Sequence, residues 1–493
     1  MTERATSTGA AGRSGSRSSL VGTLVRKELR EVVRDGRFRV VGLVAFGLLV
    51  ASLAFGLARV RAVATERQDA QREAEHHWQT QDAKNPHVAA HYGTHVFKPT
   101  GALPFVDPGI EPFVGSSAKL EAHRRNDLEA SPALDATGLS RFGGLSVSAV
   151  LQLLVPLLVI ALGFGAWSAE RERGTLRQLA SLGVAPRVLV SGKALGIVAA
   201  LGAVLGPALA LGAAATWVWA PPAGSSSLAR FAAMALSYLA FFGVFVGLTL
   251  AVSARASTSR GALVALLGFW VWAALIVPRA AADAAAHIAP APSHAAIDAA
   301  VRESLERGLP GGPPREERLT AITEAMMEAQ GWKGAEMLMD AALLGGIELQ
   351  SEAAYENEVI DHHFAQLAAA IETQERWAEA AAVLSPVVAV RTLSMAFAGT
   401  DFAHHRRFAD AAEAHRRALV DMLNQNFAEK AGTAAWDYRA GRELWEKAPA
   451  FRHEPPPVAW VASQKGSSVL ALVGWLALAT IGAWQSAVRM RVA

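Results

Sequence analysis

Two apolar runs flank one charged segment in residues 145–219, which read LSVSAVLQLLVPLLVIALGFGAW (145–167), SAERERGTLRQLASLGVAPRVLVSGK (168–193) and ALGIVAALGAVLGPALALGAAATWVW (194–219). As helices, both apolar runs are long enough to cross about 30 Å of hydrocarbon at about 1.5 Å per residue. The charged segment is therefore predicted to be a loop between two membrane spans.

The composition of the whole chain agrees with this interpretation. Of the 493 residues, 52% are hydrophobic and only 18% are charged, which is too apolar for a soluble protein of this length. The chain has no cysteine, which excludes disulfides, thiolate metal sites and a cysteine nucleophile. A formal net charge of +3 gives no reason to expect a nucleic-acid partner.

Four more apolar runs bring the predicted spans to six. They lie at 40–60, 231–252, 261–277 and 467–487, in addition to 145–167 and 194–219. We therefore predict an all-α polytopic membrane protein with six transmembrane helices and two mainly helical extracytoplasmic insertions, at 61–144 and 278–465.

The positions of the basic residues predict the orientation. Nine Lys and Arg residues precede the first span, and basic residues also mark the loop 168–193, the loop 253–260 and the tail 488–493. The positive-inside rule places these segments in the cytoplasm and both termini with them, as expected for a multi-pass protein of a bacterial inner membrane. Arg230 stands at the outer edge of the fourth span and disagrees, but it can snorkel to the interface.

The N-terminal region divides into two parts. Residues 1–19 contain little that a core could bury, and we predict a disordered tail. Residues 20–39 place Val21, Leu24 and Val25 at helical spacing, with Arg26 and Lys27 on the remaining face. This pattern predicts an amphipathic cytoplasmic interface helix.

The second insertion is predicted to hold an antiparallel helical pair. Ile360, Phe364 and Leu367 keep helical spacing in one segment, and Phe408 and Leu419 do so in another. Thr400 or Asp401 is the expected N-cap of the second helix. The apolar segment between them, 386–399, is too short to span a bilayer and is expected either on the outer leaflet or buried inside the domain.

The loop 168–193 combines charge with a small apolar face. Leu176, Leu179 and Leu182 share helical spacing, and Gly183 and Pro186 are expected to end the helix. A short cytoplasmic helix joined rigidly to two spans is a lever. The alternative is a solvated loop whose charges only follow the positive-inside rule.

Sequence motifs in this loop carry a family resemblance. Glu172, Gly174, Thr175 and Leu176, followed by Gly192 and Lys193, match an E-x-G-T-L and G-K pattern. The pattern resembles the first cytoplasmic loop of ABC transporter permeases of the type-two exporter family. The segment LVRKELREVVRDGRF resembles the interface helix of the same family. The resemblance implies a coupling helix that docks on a separate ATPase, through Glu170, Glu172, Arg173, Gly174, Thr175, Leu176, Leu179, Lys193, Arg26, Lys27 and Glu28.

The insertions resemble those of a permease subgroup whose extracytoplasmic domains have no assigned function. The segments that carry this resemblance are 85–99, 105–115, 120–127 and 384–419. Because simpler family members lack such insertions, the resemblance does not identify a substrate.

The predicted function follows from the loop and from a missing motif. The sequence has no G-x-x-x-x-G-K-[ST] phosphate loop, so ATP and Mg are expected in a partner ATPase and this chain is not predicted to be an enzyme. We expect a permease subunit, paired with a second copy or a paralogue, that exports an amphiphilic or peptide-like substrate. The alternative is an ABC-like protein of mechanotransmission or membrane assembly that acts on an extracytoplasmic partner protein.

Histidines of the first insertion raise a further alternative, metal handling. His87, His91 and His95 stand four residues apart, and imidazoles at this spacing on a helix can chelate zinc or copper. Pro86, Gly93 and Pro99 argue against a continuous helix. These histidines are therefore weak candidates, and no metal site is assigned.

Overall fold

A computed structural model describes residues 11–34, 36–134, 144–219, 225–329 and 341–490 of the chain. Residues 1–10 of the predicted tail and residues 491–493 of the predicted C-terminal tail lie outside these ranges.

The described residues are mostly helical from one end of the chain to the other. As far as the fifth span, the helices are α1 (Ala11–Arg34), α2 (Gly36–Thr80), α3 (Pro86–Tyr92), α4 (Val147–Ala149), α5 (Val155–Gly163), α6 (Ser168–Glu172), α7 (Thr175–Ser181), α8 (Pro186–Trp219), α9 (Ser225–Arg255), α10 (Ser259–Val271) and α11 (Val277–Ile288). The later helices are α12 (His294–Arg307), α13 (Arg315–Ala329), α14 (Ala341–Ala380), α15 (Pro386–Ala398), α16 (Phe402–Lys430), α17 (Arg442–Trp445), α18 (Val458–Gln464) and α19 (Gly466–Val488).

Six helical segments are long and apolar enough to cross a membrane. Among the described residues they are Phe38–Thr80, Val147–Glu172, Pro186–Trp219, Ser226–Arg255, Ser259–Ile288 and Gly466–Val488. This confirms the predicted class of a helical membrane protein with six candidate spans. The fifth helix is longer than the predicted 261–277, because α11 continues it as far as Ile288.

Two spans contain π-helical turns, at Val150–Leu154 and Trp272–Ile276. Pro156 and Pro278 each follow such a turn within two residues, near the first positions of α5 and α11. Proline has no N–H to donate to the preceding turn, and a π-turn is one way to accommodate that missing hydrogen bond. The spans are thus continuous helices with a local widening before each proline.

The two ends of the spans carry different structures. At one end lie α1, α6, α7 and the turn between α9 and α10, which contact one another. We call this the loop end. The two insertions lie together at the opposite end, which we call the insertion end, and they share hydrogen bonds such as Arg416 Nη1 to the Glu121 carbonyl.

Helices α1 and α2 both extend beyond their predicted limits. Helix α1 begins at Ala11, inside the segment predicted to be disordered. Helix α2 continues for twenty residues beyond the predicted span 40–60, to Thr80. Residues 61–80 are rich in Ala, Glu, Gln and Arg, which are strong helix formers, and contain no Gly or Pro to end the helix.

The first insertion also contains a three-stranded antiparallel sheet, which the prediction of a mainly helical insertion did not include. Its strands are β1 (Thr94–Phe97), β2 (Ser117–Glu121) and β3 (Arg124–Arg125). Thr94 pairs with Leu120 and Phe97 with Ser117. Strands of two to five residues are too short to show a periodicity in sequence.

The second insertion contains the predicted antiparallel pair, formed by α14 and α16. Arg406 of α16 contacts Glu372 of α14, whereas Arg417, eleven residues later in α16, contacts Asp361, eleven residues earlier in α14. Asp401 is the N-cap of α16 and accepts a hydrogen bond from the His404 N–H at 3.1 Å. Of the two predicted N-cap candidates, the structure therefore uses Asp401 rather than Thr400.

Helix α15, from the short apolar segment between that pair, is buried against the spans. It packs on α9 and α19, and apart from Arg391 and Met395 its residues are buried. Ser385 donates to the Ala273 carbonyl at 2.7 Å, and Trp475 of α19 donates to the Ala382 carbonyl at 3.0 Å. The segment is therefore buried, but against the spans rather than at either expected location, the outer leaflet or the interior of the insertion.

Arg230 secures the C-terminal end of α15. Its side chain is 1% exposed, so the prediction that Arg230 snorkels to the interface is wrong. The guanidinium donates to the carbonyls of Ala396 and Phe397, at 3.4 and 3.3 Å, and to the carbonyl of Pro456. A helix C-terminus offers unpaired carbonyls and negative potential, both of which suit a buried cation.

A polar chain connects α15 to the first insertion and to two spans. Asp107 accepts from the Ser394 hydroxyl and from the Gly109 N–H at 3.0 Å. The Ser394 and Tyr238 hydroxyls lie 2.9 Å apart, and Gln152 donates to Tyr238 at 3.0 Å. Burial raises the pKa of the Asp107 carboxyl, opposed by the hydrogen bond from Ser394.

Glu375 of α14 gives the insertion end a pH dependence. Burial, opposed by Lys465 and reinforced by Asp401 and Glu379, raises its pKa to about 7 from an ordinary 4.5. The folded state binds the proton of Glu375 more tightly than the unfolded chain does. The stabilisation that this group adds to the free energy of unfolding is therefore complete below pH 4.5 and is lost as the pH rises through about 7. The parent is expected to lose about 3 kcal/mol of unfolding free energy across this window, and Glu375→Gln should abolish that loss.

The measurement is the thermal unfolding midpoint of the detergent-purified protein from pH 4.5 to 8. The midpoint of the Gln variant should exceed that of the parent increasingly as the pH rises. Glu303→Gln, at an exposed ion pair with Arg307, is the control and should follow the parent at every pH. Parallel curves for Glu375→Gln and the parent would contradict the prediction.

Candidate functional site

The loop 168–193 folds as two short helices at the loop end of the spans. Helix α6 ends before Gly174, which has φ +75°, and α7 ends before Gly183, which has φ +68°. Both conformations favour glycine, since a side chain would strain them. Pro186 then begins α8. The predicted helix and its limits at Gly183 and Pro186 are therefore present.

A buried lysine holds this loop to the N-terminal helix. Lys193 of α8 is 4% exposed, and its Nζ lies 3.1 Å from Glu28 Oε1 of α1 and 2.8 Å from Glu170 Oε1 of α6. The same ammonium stands 5.2 Å from the ring centroid of Trp167. Lys27 lies 3.3 Å from Glu28 and 3.1 Å from Glu170. We call Lys27, Glu28, Glu170 and Lys193 the four-charge cluster.

The cluster is electrically balanced, with two ammonium groups and two carboxylates. Burial disfavours the charged form of Lys27, but Glu28, Glu170 and Glu31 more than offset this, and the pKa of Lys27 is raised. Lys27 therefore remains cationic at physiological pH. Short contacts between opposite charges thus join α1, α6 and α8 at this junction.

Two glycines allow α1 to approach α8 closely. A Cβ at Gly192 would lie 2.7 Å from the Leu24 Cβ, and one at Gly196 would lie 2.6 Å from the Glu28 Cβ. Glycines four residues apart form a small-xxx-small surface, on which two helices in a membrane can pack closely. The G-K pair thus has a structural basis here: Gly192 provides the space and Lys193 the ion pairs.

The loop is also attached to the turn between α9 and α10. Glu172 accepts from the Ser259 N–H at 2.9 Å and from its hydroxyl at 2.7 Å. Arg171 donates to the carbonyl of Ala254 at 2.7 Å and to that of Ala256. Arg171 was not among the predicted site residues, although a cation beside the C-terminus of a span is a recognisable capping signal.

The residues that the sequence assigned to docking separate into an internal and an external group. Leu176 is buried in the core and Leu179 and Gly174 are half-buried, while Glu172 is exposed yet bonded to Ser259. Arg26, Arg173 and Thr175 are exposed. Exposed neighbours that the prediction did not name complete a surface we call the loop-end surface, formed by Arg173, Thr175, Arg177, Gln178, Ser181 and Leu182. It is basic and polar around Leu182, which is 76% exposed.

The three candidate metal-binding histidines do not form one group. His87 and His91 lie on α3, which ends at Gly93 with φ +65°. His95 lies beyond that break, exposed on β1, and is not part of the cluster formed by the other two. The histidine that joins His87 and His91 is His123, which no spacing in the sequence could indicate.

A comparison with known families matches part of the second insertion. The profile of a family described as a domain of unknown function (DUF3526) matches residues 298–454, from α12 to the segment before α18. No curated protein matches the chain.

Proposed function

We propose that this chain is the membrane-spanning subunit of an ATP-driven transporter of the ABC type, and that its loop end docks on a separate ATPase subunit. The observation that carries the proposal is the four-charge cluster. Because it joins α1 and α6 to α8, a force applied to the loop would reach the spans without being absorbed by a flexible hinge. The resemblance of the loop to type-two exporter permeases supports the same assignment.

In this proposal the docking surface is the loop-end surface rather than the whole motif. Leu182 offers an exposed apolar side chain among Arg173, Arg177 and Gln178, a combination that suits a groove with an apolar floor and a polar rim. The chain would act as a homodimer or with a paralogue, in a bacterial inner membrane with both termini in the cytoplasm.

Two adjoining cavities support an amphiphilic or peptide-like substrate. An apolar groove of about 300 Å³ lies between α2, α8 and α9, lined by residues such as Leu53, Leu201 and Met234. A cavity of about 840 Å³ at the insertion end is lined by polar as well as apolar groups, among them Asp107 and Arg391. An amphiphile could place its apolar part in the first and its polar part in the second.

The proposal is tested by Leu182→Asp. Glu172 and Leu176 are less suitable positions, since changing them also breaks a hydrogen bond or the core. The chain is co-expressed with a candidate ABC ATPase subunit, and co-purification and ATP hydrolysis by the complex are measured. We expect Leu182→Asp to reduce both at least tenfold while the thermal unfolding midpoint stays unchanged.

Leu134→Asp is the matched control, since Leu134 is equally exposed, at 76%, but lies at the insertion end. It should leave assembly and hydrolysis intact. Equal behaviour of the two variants, or a complex that forms normally with Leu182→Asp, would contradict the docking proposal.

One observation favours the alternative of mechanotransmission. Helix α15 belongs to the second insertion yet packs between spans, so a tilt of α9 or α19 would move the insertion directly. In this alternative the complex hydrolyses ATP to change the insertions, which act on an extracytoplasmic partner protein. Hydrolysis that persists when the 300 Å³ groove is filled by Ala235→Trp would favour it over transport.

A further inference from the structure

Three imidazoles from separate parts of the first insertion converge at the insertion end. His87 and His91 come from successive turns of α3, and His123 comes from the two-residue turn between β2 and β3. The Nε2 of His87 lies 3.1 Å from the Nε2 of His91 and 3.4 Å from that of His123. One ring nitrogen from each of the three can be chosen so that all lie within 4.8 Å of one another.

Hydrogen bonds at the back of two rings determine which nitrogen faces the centre. His123 Nδ1 lies 2.8 and 3.0 Å from the two carboxylate oxygens of Glu356. His87 Nδ1 lies 3.4 Å from the side-chain oxygen of Asn424. Both partners are acceptors, so each ring presents an Nδ1–H to them and, when neutral, leaves its Nε2 lone pair free.

This arrangement points two lone pairs at each other across 3.4 Å. Two neutral rings in this arrangement repel each other, and a cation bound between the two nitrogens would remove the repulsion. Two nitrogens bound at about 2.05 Å to one tetrahedral zinc ion are about 3.3 Å apart, close to both separations found here. A histidine whose outer N–H is held by a carboxylate, as His123 is by Glu356, is the usual form of a zinc-binding histidine.

We propose that His87, His91 and His123 bind one divalent cation of the zinc and copper class through their Nε2 atoms, with Glu356 and Asn424 orienting two of the rings. His91 is exposed, so one side of the ion faces solvent and can accept water or an exchangeable ligand.

The site does not depend on the proposed transport function. Its three ligands belong to the first insertion, whereas Glu356 and Asn424 belong to α14 and α16 of the second. An ion at this position would therefore tie the two insertions together where they meet, and its binding would be felt on both sides of the junction.

The test is a metal titration of the full-length, detergent-purified chain after removal of metal with a chelator. Zn²⁺ and Cu²⁺ are titrated against a chromophoric competitor, and we expect one equivalent bound per chain. His91→Ala should weaken binding at least a hundredfold. His95→Ala is the matched control, since His95 is also an exposed histidine of the same segment but lies outside the cluster, and it should bind as the parent does.

A second variant addresses the orientation of the ligands without removing one. Glu356→Gln should weaken binding by about ten- to a hundredfold, since the outer partner of a metal-bound histidine commonly has an effect of this size. Substoichiometric binding in the parent, or equal effects of His91→Ala and His95→Ala, would overturn the proposal. So would a Glu356→Gln variant that binds the ion as tightly as the parent.

Discussion

Replacing Lys193 by methionine is expected to destabilise the protein by about 3 kcal/mol, the cost of removing one partner from a buried ion pair. Glu28 and Glu170 are both largely buried and would keep only the half-exposed Lys27 as a cationic neighbour. Their repulsion and lost solvation would drive α1 away from α8. The thermal unfolding midpoint should fall, and proteolysis within α1 should become faster.

Lys27→Met is the matched control, because Lys27 contacts the same two carboxylates but its side chain is 38% exposed. Solvent replaces an exposed ion pair at little cost, so this variant should lose about 1 kcal/mol or less. Because the same substitution is made at both lysines, the difference between the two stability losses measures the effect of burial on the ion pair. Equal losses for the two variants would show that Lys193 does not hold α1 in place.

Replacing Arg230 by methionine should have the other large effect, a loss of about 4 kcal/mol. The backbone carbonyls of Phe397 and Pro456 would remain buried without this donor, while that of Ala396 would keep its hydrogen bond from the Gly399 N–H at 3.2 Å. Each unsatisfied buried acceptor costs about 1 to 3 kcal/mol. The end of α15 would then separate from α9, and protease cleavage near Pro456 should accelerate.

Two further variants make this prediction specific. Arg230→Lys keeps the charge but loses the planar fork of donors, and it should recover only part of the stability. Arg260→Met removes an exposed arginine at the loop end and should change the free energy of unfolding by less than about 0.5 kcal/mol. A stable Arg230→Met variant would mean that the carbonyls of Phe397 and Pro456 find other donors.

Sequence patterns were sufficient for the parts of the fold that depend on local physics. Long apolar runs predicted six spans, and helical spacing predicted the pairing of α14 with α16. Asp401 was identified as an N-cap because its side chain needs only the residues that follow it. These features are encoded within a few helical turns.

The errors concern contacts between distant residues. Arg230 looked like an interfacial cation because the sequence does not show that the end of α15 comes to lie beside it. His95 looked equivalent to His91, whereas the ring that completes the cluster comes from a strand turn thirty-two residues after His91. His123 adopts φ +66° in that turn, and no short-range pattern predicts that a histidine will occupy it.

The candidate docking residues show a third kind of difference. The motif assigned these residues of the loop to docking, but several of them face inward in the structure. Glu170 and Lys193 hold helices together, and Leu176 joins the core. A motif in a sequence does not distinguish residues that touch a partner from residues that give the partner a rigid surface to touch.

Helix α15 has a consequence for how this architecture can be divided. The family match at 298–454 contains α15 whole, although that helix packs between spans outside the matched segment. The boundary of sequence similarity is therefore not a boundary of folding. A fragment cut at those residues would expose an apolar helix that has lost its packing partners, so this insertion is not expected to fold apart from its membrane helices.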